Sequence, residues 1–341
     1  MQALVVEPGV AYSARIEEIA EPHGAGVLIR VLEVGVCGTD REITEGHFGV
    51  AASGNRLVIG HELLGVVERD DYGFERGQLV SAIVRRSCSH CLACDEGAPD
   101  SCLTGDYEER GITRLDGFAR ELVIEDPTQL IPVPTALGRL GVLAEPTSIC
   151  ARALRHALAI GGRQPWNVQR ALVVGGGAIG TLMTMLLRLE GVDVWTASLE
   201  PSNEIVEQLG AHYVQAAEID ELGKFDVVVE AAGNAQLMAD ALGLLRRSGV
   251  ACLLGIDGRE QTVELDGRTL GYHTVLENRV LFGSVNANHV DWLAAVDALD
   301  RAAAQHRDAL ERLVGLRAPL DHFADAFAFT GGKATLVVSE S

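Results

Sequence analysis

The chain has 341 residues and is 48% hydrophobic, enough to bury the cores of two domains. Its 28 basic and 48 acidic residues leave a net charge of −20, which excludes nucleic acid and anionic membrane as partners, because phosphate binding needs a basic face. No apolar run approaches the ~20 residues of a membrane span, and residues 1–6 read as a strand rather than an export signal, so a cytoplasmic protein is expected.

Residues 1–35 read as short strands separated by turns. The branched apolar run 28–34 is the clearest and leads through Gly35 and Val36 into Cys37. Cys37-Gly38-Thr39-Asp40 is followed by a polar loop holding His47, then by a strand that ends in Gly60-His61-Glu62. A thiol, an imidazole and a carboxylate so close together suit a borderline-soft cation such as Zn²⁺. Gly60 suits a tight backbone that presents His61 and Glu62 inward. Further strands are expected over 57–68 and 78–85, with a turn at Gly73 and Gly77. This portion is expected to be all-β with little helix. His47 is read as a surface residue, with a substrate contact as its alternative.

Seven cysteines, an odd number, disfavour a disulfide framework. Cys88, Cys91, Cys94 and Cys102 form C-x2-C-x2-C-x7-C, a spacing that can close a tetrahedral structural Zn²⁺ site. An iron–sulfur cluster also uses four thiolates, but nothing else in the chain suggests electron transfer. His90, inside this lobe, is read as solvent-facing. Cys150 and Cys252 are read as small buried residues, with Cys150 a reserve ligand.

Residues 106–116 read as loop and 117–123 as strand. A helix opens at 143–148, with Pro146 in its first turn, and runs past Leu158. Glu145 at its mouth reads, on the residues alone, as an acid favoured by the helix dipole.

From Arg170 the texture changes to strand, Gly175-Gly176-Gly177-Ala178-Ile179-Gly180, helix, strand. G-x-G-x-x-G in that context binds a dinucleotide. Gly175 makes the turn, Gly177 lets backbone approach the pyrophosphate, Gly180 packs helix on strand, and Ala178 and Ile179 open the helix that meets the phosphates. Strands at 225–230, 250–255 and 280–283, with a helix at 235–245, continue a parallel sheet. Ala232, Gly255, Ser284 and Asn286, at the ends of these strands, complete the expected cofactor contacts. Between Leu189 and Gly223 there is no Lys or Arg but eight acids, so a 2′-phosphate would find no partner. NAD is expected in preference to NADP, with Ser198 or Glu200 at the ribose. A helix over 292–305 and a tail with a strand at 335–338 are taken to return to the first domain. The domains are therefore 1–147, 148–286 and 287–341.

Together these residues resemble the zinc-containing medium-chain dehydrogenase/reductase family nearly end to end. The carriers are Val36 to Asp40, Gly60-His61-Glu62, the four-cysteine lobe, Glu145-Pro146 and the glycine motif. Within it the chain looks most like the microbial glucose (aldose) 1-dehydrogenase branch. The carriers there are Arg85-Arg86, Glu109, Gly111-Ile112, Asp116-Gly117-Phe118, Gly283 to Asn286 and Asn288.

The resemblance implies an α/β protein with a GroES-like β-rich catalytic domain and a Rossmann doubly wound parallel-sheet domain. It implies a catalytic zinc near Cys37, His61, Glu62 and Glu145, and Thr39 relaying the substrate proton. It places Glu109 and Asn286 at sugar hydroxyls, with Thr39 and Glu145 also facing the substrate. The implied reaction is hydride transfer between a sugar, polyol or cyclitol hydroxyl and NAD, in a homodimer or homotetramer. Two positions depart from the aldose pattern. Val84 replaces a frequent Asn, and Leu276-Glu277-Asn278 lacks a frequent His, with His273 out of register. Fewer polar partners weaken discrimination for a fully hydroxylated sugar, which keeps an amino alcohol or natural-product intermediate as the alternative. A non-catalytic nucleotide- and zinc-binding protein is disfavoured by the intact Cys37, Thr39, His61 and Glu62.

Overall fold

The computed structural model describes residues 1–339. The chain divides into two compact units. One comprises 1–148, 286–300 and 314–341; the other comprises 149–285 and 301–313.

The first unit is built around the strand Val27–Val36, whose apolar run is buried along most of its length. Glu62–Val67, Leu122–Glu125 and Ala334–Val337 all pair with it antiparallel. Leu79–Ala82, Leu130–Pro132 and Leu316–Pro319 extend the sheet to seven strands among the described residues. Ile29, Val31, Val34, Leu63, Val80 and Phe118 form its core and are fully buried, each such side chain contributing about 1.5–3 kcal/mol. The register sets Gly35 against both Glu62 and Thr335. Cys37, His61, Glu62 and Lys333 therefore gather at one end of this sheet. The returning strand is also held by charge: buried Glu33 accepts from Arg139 (2.6 Å), Thr335 (3.0 Å) and Arg317 (3.2 Å).

The segment expected as polar loop contains a helix, Gly38–Thr44. Its seven residues are too few to show a period, but Asp40 sits at the third helical position and its Oδ2 accepts from the Cys37 backbone N–H at 3.0 Å. The expected strand 117–123 forms only over Leu122–Glu125, because Phe118 and Ala119 instead hydrogen-bond to the backbone of Gly60 and Ile59.

The second unit is a six-stranded parallel sheet in the order His212–Gln215, Asp193–Ser198, Arg170–Val174, Phe225–Glu230, Leu245–Leu253, Val280–Gly283. The order reverses at Arg170–Val174, the switch point where such sheets bind ligands. The helix expected to Leu245 ends at Asp240, and Leu245 opens the next strand. The helix expected over 292–305 runs His289–Leu313 with a kink at His306 (φ −135°, ψ 36°). Residues 301–313 thus belong to the second unit, where sequence alone put them in the returning tail; Arg312 pairs with Glu204 at 2.7 Å there.

Candidate active site

Cys37 is the first residue past the central strand and caps the helix Gly38–Thr44. His61 follows Gly60, whose φ of +88° makes the bend that aims the imidazole inward. Cys37 Sγ lies 3.1 Å from His61 Nε2, and Asp40 Oδ1 faces the other ring nitrogen at 3.4 Å. Ligand atoms of Cys37, Asp40 and His61 lie within 4.8 Å of one another, and so do those of His61, Glu62 and Glu145. The four expected ligands thus fall into two overlapping sets joined at His61, with Asp40 an addition the sequence reading did not make.

The donor set fits a zinc ion. Asp40 Oδ1, His61 Nδ1 and Glu62 Oε2 are buried with no hydrogen-bond partner among the described residues, although Asp40 and His61 face one another. Buried polar atoms left unpaired are costly. Ligation through His61 Nε2 would leave Nδ1–H to Asp40, the carboxylate–histidine arrangement common behind zinc ligands.

Lys333 is the second residue missed, although the chain has only two lysines, Lys224 and Lys333. It is 3% exposed, its Nζ donates to Val36 O at 3.1 Å, and it forms an ion pair with Glu62 Oε1. Burial opposes its charge, but Glu62, Cys37 and Glu145 outweigh burial and raise its pKa. Burial likewise opposes charge on His61, and Cys37 and Asp40 on either side carry its pKa well above the ordinary value. Burial, then Glu62, pushes the Glu145 carboxyl up to about 7.

A carboxyl raised in this way holds its proton up to neutral pH, so a metal must displace that proton. Zinc affinity at this site is expected to fall as the pH drops through about 7, and since His61 is also held above its ordinary value, its proton joins that of Glu145 in being released on binding. Calorimetric titration in buffers of different ionisation enthalpy measures both.

Thr39 is half-buried in the first turn after Cys37. The Glu109–Gly111 segment lies against the Gly60 turn: a Cβ on Gly111 would meet the Gly60 backbone at 2.5 Å. Asn286 is buried, holds φ at +69°, and leaves its Nδ2 without a partner among the described residues. Such a strained residue with an idle amide is suited to a ligand contact. His47 is exposed and pairs with Glu45 at 3.5 Å. Cys150 is buried and its thiol reaches Ile179 O at 3.4 Å, outside both metal sets.

Cys88, Cys91, Cys94 and Cys102 converge, with ligand atoms within 4.8 Å of one another. Cys91 and Cys94 sulfurs are 3.5 Å apart, and Cys88 and Cys94 sulfurs 3.8 Å. Four sulfurs about 2.3 Å from a tetrahedral zinc stand about 3.8 Å apart, so the lobe fits that ion. The Leu103 backbone N–H, first among several donors, lowers Cys91 to about 7, and the Thr104 hydroxyl lowers Cys102 to about 6, favouring thiolates there, while burial and the Cys91 thiol push Cys94 up to about 12, so a metal must displace its proton. His90 is exposed and outside the cluster.

In the second unit, Gly175 has φ +116° and Gly177 caps the helix Ala178–Leu189. A Cβ on Gly177 would meet nothing within 4 Å, whereas one on Gly180 would collide with Gly175 O. Open space at Gly177 leaves room for a pyrophosphate over the helix N-terminus. At the next strand end Ser198 Oγ donates to Glu200, and Tyr213 hydroxyl lies 2.9 Å from Ser198 Oγ. Glu230 Oε1 accepts from the N–H groups of Ala232 (2.9 Å) and Asn234 (3.2 Å), shaping the loop that carries Ala232. A Cβ on Gly255 would press on that carboxylate at 2.5 Å. Ser284 Oγ is buried without a partner among the described residues.

Residues 23–135 match the alcohol dehydrogenase GroES-like domain model, and residues 138–339 match the glucose dehydrogenase C-terminus model. The chain is 38% identical to a glucose 1-dehydrogenase of Methanocella arvoryzae, covering 94% of each. It is 38% identical to glucose 1-dehydrogenase 1 of Caldivirga maquilingensis, over 97% of this chain and 96% of that one. Its structure superposes on that of Haloferax mediterranei glucose dehydrogenase in complex with NADP, Zn and gluconolactone. The TM-score is 0.91 and the identity 30%, with both chains fully covered. The catalytic unit and the nucleotide unit are thus matched in one order over the whole chain, and the chain belongs to the zinc-containing medium-chain dehydrogenase/reductase family, in its glucose dehydrogenase branch, as an oxidoreductase.

Proposed function

We propose that the chain is a zinc-dependent aldose 1-dehydrogenase that uses NAD. The observation that carries the reading is the convergence of Cys37, His61, Glu62 and Glu145 in two sets joined at His61, where buried Glu62 Oε2 has no hydrogen-bond partner among the described residues. Bound there, zinc would supply Lewis acidity to a substrate hydroxyl. Cys37 and His61 would hold the metal, with Glu62 Oε2 and Glu145 as the carboxylate donors. Asp40 orients His61, and Lys333 holds Glu62. Thr39 takes the hydroxyl proton toward solvent, and Glu109 and Asn286 orient the sugar. Loss of hydride then leaves the lactone, the oxidation level of the ligand in the Haloferax complex. Screening D-glucose, other aldoses, polyols and cyclitols tests the substrate class; D-glucose turning over no faster than a simple secondary alcohol rejects it. Val84, buried two residues from Arg86, favours a less hydroxylated alcohol as the second reading.

The 190–223 segment supplies acids and no cation, and Glu200 is tethered by Ser198, an arrangement suited to ribose hydroxyls rather than a 2′-phosphate. We expect kcat/KM for NAD to exceed that for NADP by at least about tenfold, since losing one charge-assisted contact costs about that factor. Steady-state kinetics with both cofactors measures it, and a preference for NADP contradicts it. Val280–Gly283 is an edge strand with unpaired backbone, the natural seam for a homodimer or homotetramer. No helix of the described residues is long and apolar enough to cross a membrane, and the seven cysteines form no disulfide, as suits a reducing cytoplasm.

A further inference from the structure

Arg85 belongs to neither metal set, yet it joins two of the features above. The short strands Arg85–Arg86 and Glu108–Arg110 pair antiparallel, with Arg85 opposite Glu109. Arg85 Nε and Nη2 both lie 2.9 Å from the same oxygen, Glu109 Oε1. Its Nη1 donates to Asp100 O at 3.0 Å, and its guanidinium lies 3.9 Å from the centre of the Tyr107 ring. Asp100 sits in the turn Pro99–Ser101, between Cys94 and Cys102. Both side chains are largely buried, at 11% and 14% exposed.

A glutamate has three side-chain torsions and loses about 1.5–2 kcal/mol of rotamer freedom when fixed. Two donors on one oxygen, from a planar fork itself held by a carbonyl and a ring, impose that order before substrate arrives. They occupy Oε1 and leave Oε2 as the remaining acceptor. The Glu109–Gly111 segment lies against the Gly60 turn that carries His61 through Gly111, while the Glu109 carboxylate itself is tied through Arg85 to the cysteine lobe.

We propose that Arg85 is a positioning residue for sugar recognition: it fixes Glu109 to the cysteine lobe so that Oε2 is presented to one substrate hydroxyl. This rests on the reading of Glu109 as a sugar contact. The lobe then serves binding selectivity as well as stability, and Arg85 acts on KM rather than on the chemical step.

The test compares wild type, Arg85→Met, Arg85→Lys and Glu109→Gln with D-glucose and its monodeoxy analogues, under saturating NAD. Wild type is expected to penalise one analogue by roughly tenfold or more in kcat/KM. Glu109→Gln is expected to shrink that penalty. Arg85→Met is expected to raise KM for D-glucose roughly tenfold, to keep kcat within about threefold, and to lose the same penalty. Arg85→Lys, which keeps charge without the fork, is expected to fall between, and is read alone if the Met variant does not fold. An Arg85 variant with wild-type KM and an intact penalty, beside a Glu109→Gln variant that loses it, overturns the proposal and leaves the Glu109 contact standing. A Glu109→Gln variant that keeps both KM and the penalty removes the contact itself, and the proposal with it.

Discussion

Replacing Cys37 by Ala is expected to lower kcat/KM for D-glucose and NAD by at least about 10³-fold, a loss of about 4 kcal/mol of transition-state stabilisation. The thiol is the softest donor of the proposed catalytic set and lies 3.1 Å from His61 Nε2. The fold has little stake in that side chain. Asp40 still accepts from the residue-37 backbone N–H, so the helix Gly38–Thr44 keeps one of the two bonds of its capping box. The four-cysteine lobe is separate and serves as an internal control: zinc content should fall from two ions per chain toward one, without loss of the lobe ion. Full turnover by this variant would refute the proposed chemistry.

Lys333→Met is expected to destabilise the protein by about 3–5 kcal/mol, the usual cost of leaving one member of a buried ion pair alone. Glu62 is 1% exposed and paired with Lys333, and Glu145 is buried beside them. Without the ammonium, the buried Glu62 carboxylate is left unpaired beside Glu145. Chemical denaturation of zinc-depleted protein measures the loss. Glu62→Gln combined with Lys333→Met should recover part of it, because no lone charge remains. A loss below about 1 kcal/mol would show that the pair is solvated and that Lys333 does not hold Glu62.

What the chain declares about itself follows the range of the interactions involved. The second unit's sheet was legible because its determinants are local: Arg170–Val174 is a short apolar run, and Gly175, Gly177 and Gly180 each answer a nearby steric demand. The four-cysteine lobe was legible for the same reason, its ligands lying within fifteen positions. The helix Gly38–Thr44 was missed because seven residues hold too few turns for a period to emerge, and its cap depends on Asp40 reaching back to Cys37. Lys333 was out of reach altogether. It lies 271 positions from Glu62, and only the pairing of Ala334–Val337 with Val27–Val36 brings them together. Asp40 stood in plain view beside Thr39, but its role turns on which nitrogen of His61 it faces. The kink at His306, which leaves 301–313 with the second unit, has no Pro or Gly to announce it.

Sugar oxidation is expected to depend on zinc held at Cys37, His61, Glu62 and Glu145. The decisive measurement is the rate of NADH formation from D-glucose in protein stripped of its exchangeable metal, as zinc is titrated back with the lobe zinc retained. The rate should be near zero before addition and reach its plateau at about one equivalent per chain. Undiminished NADH formation by the stripped protein would contradict it.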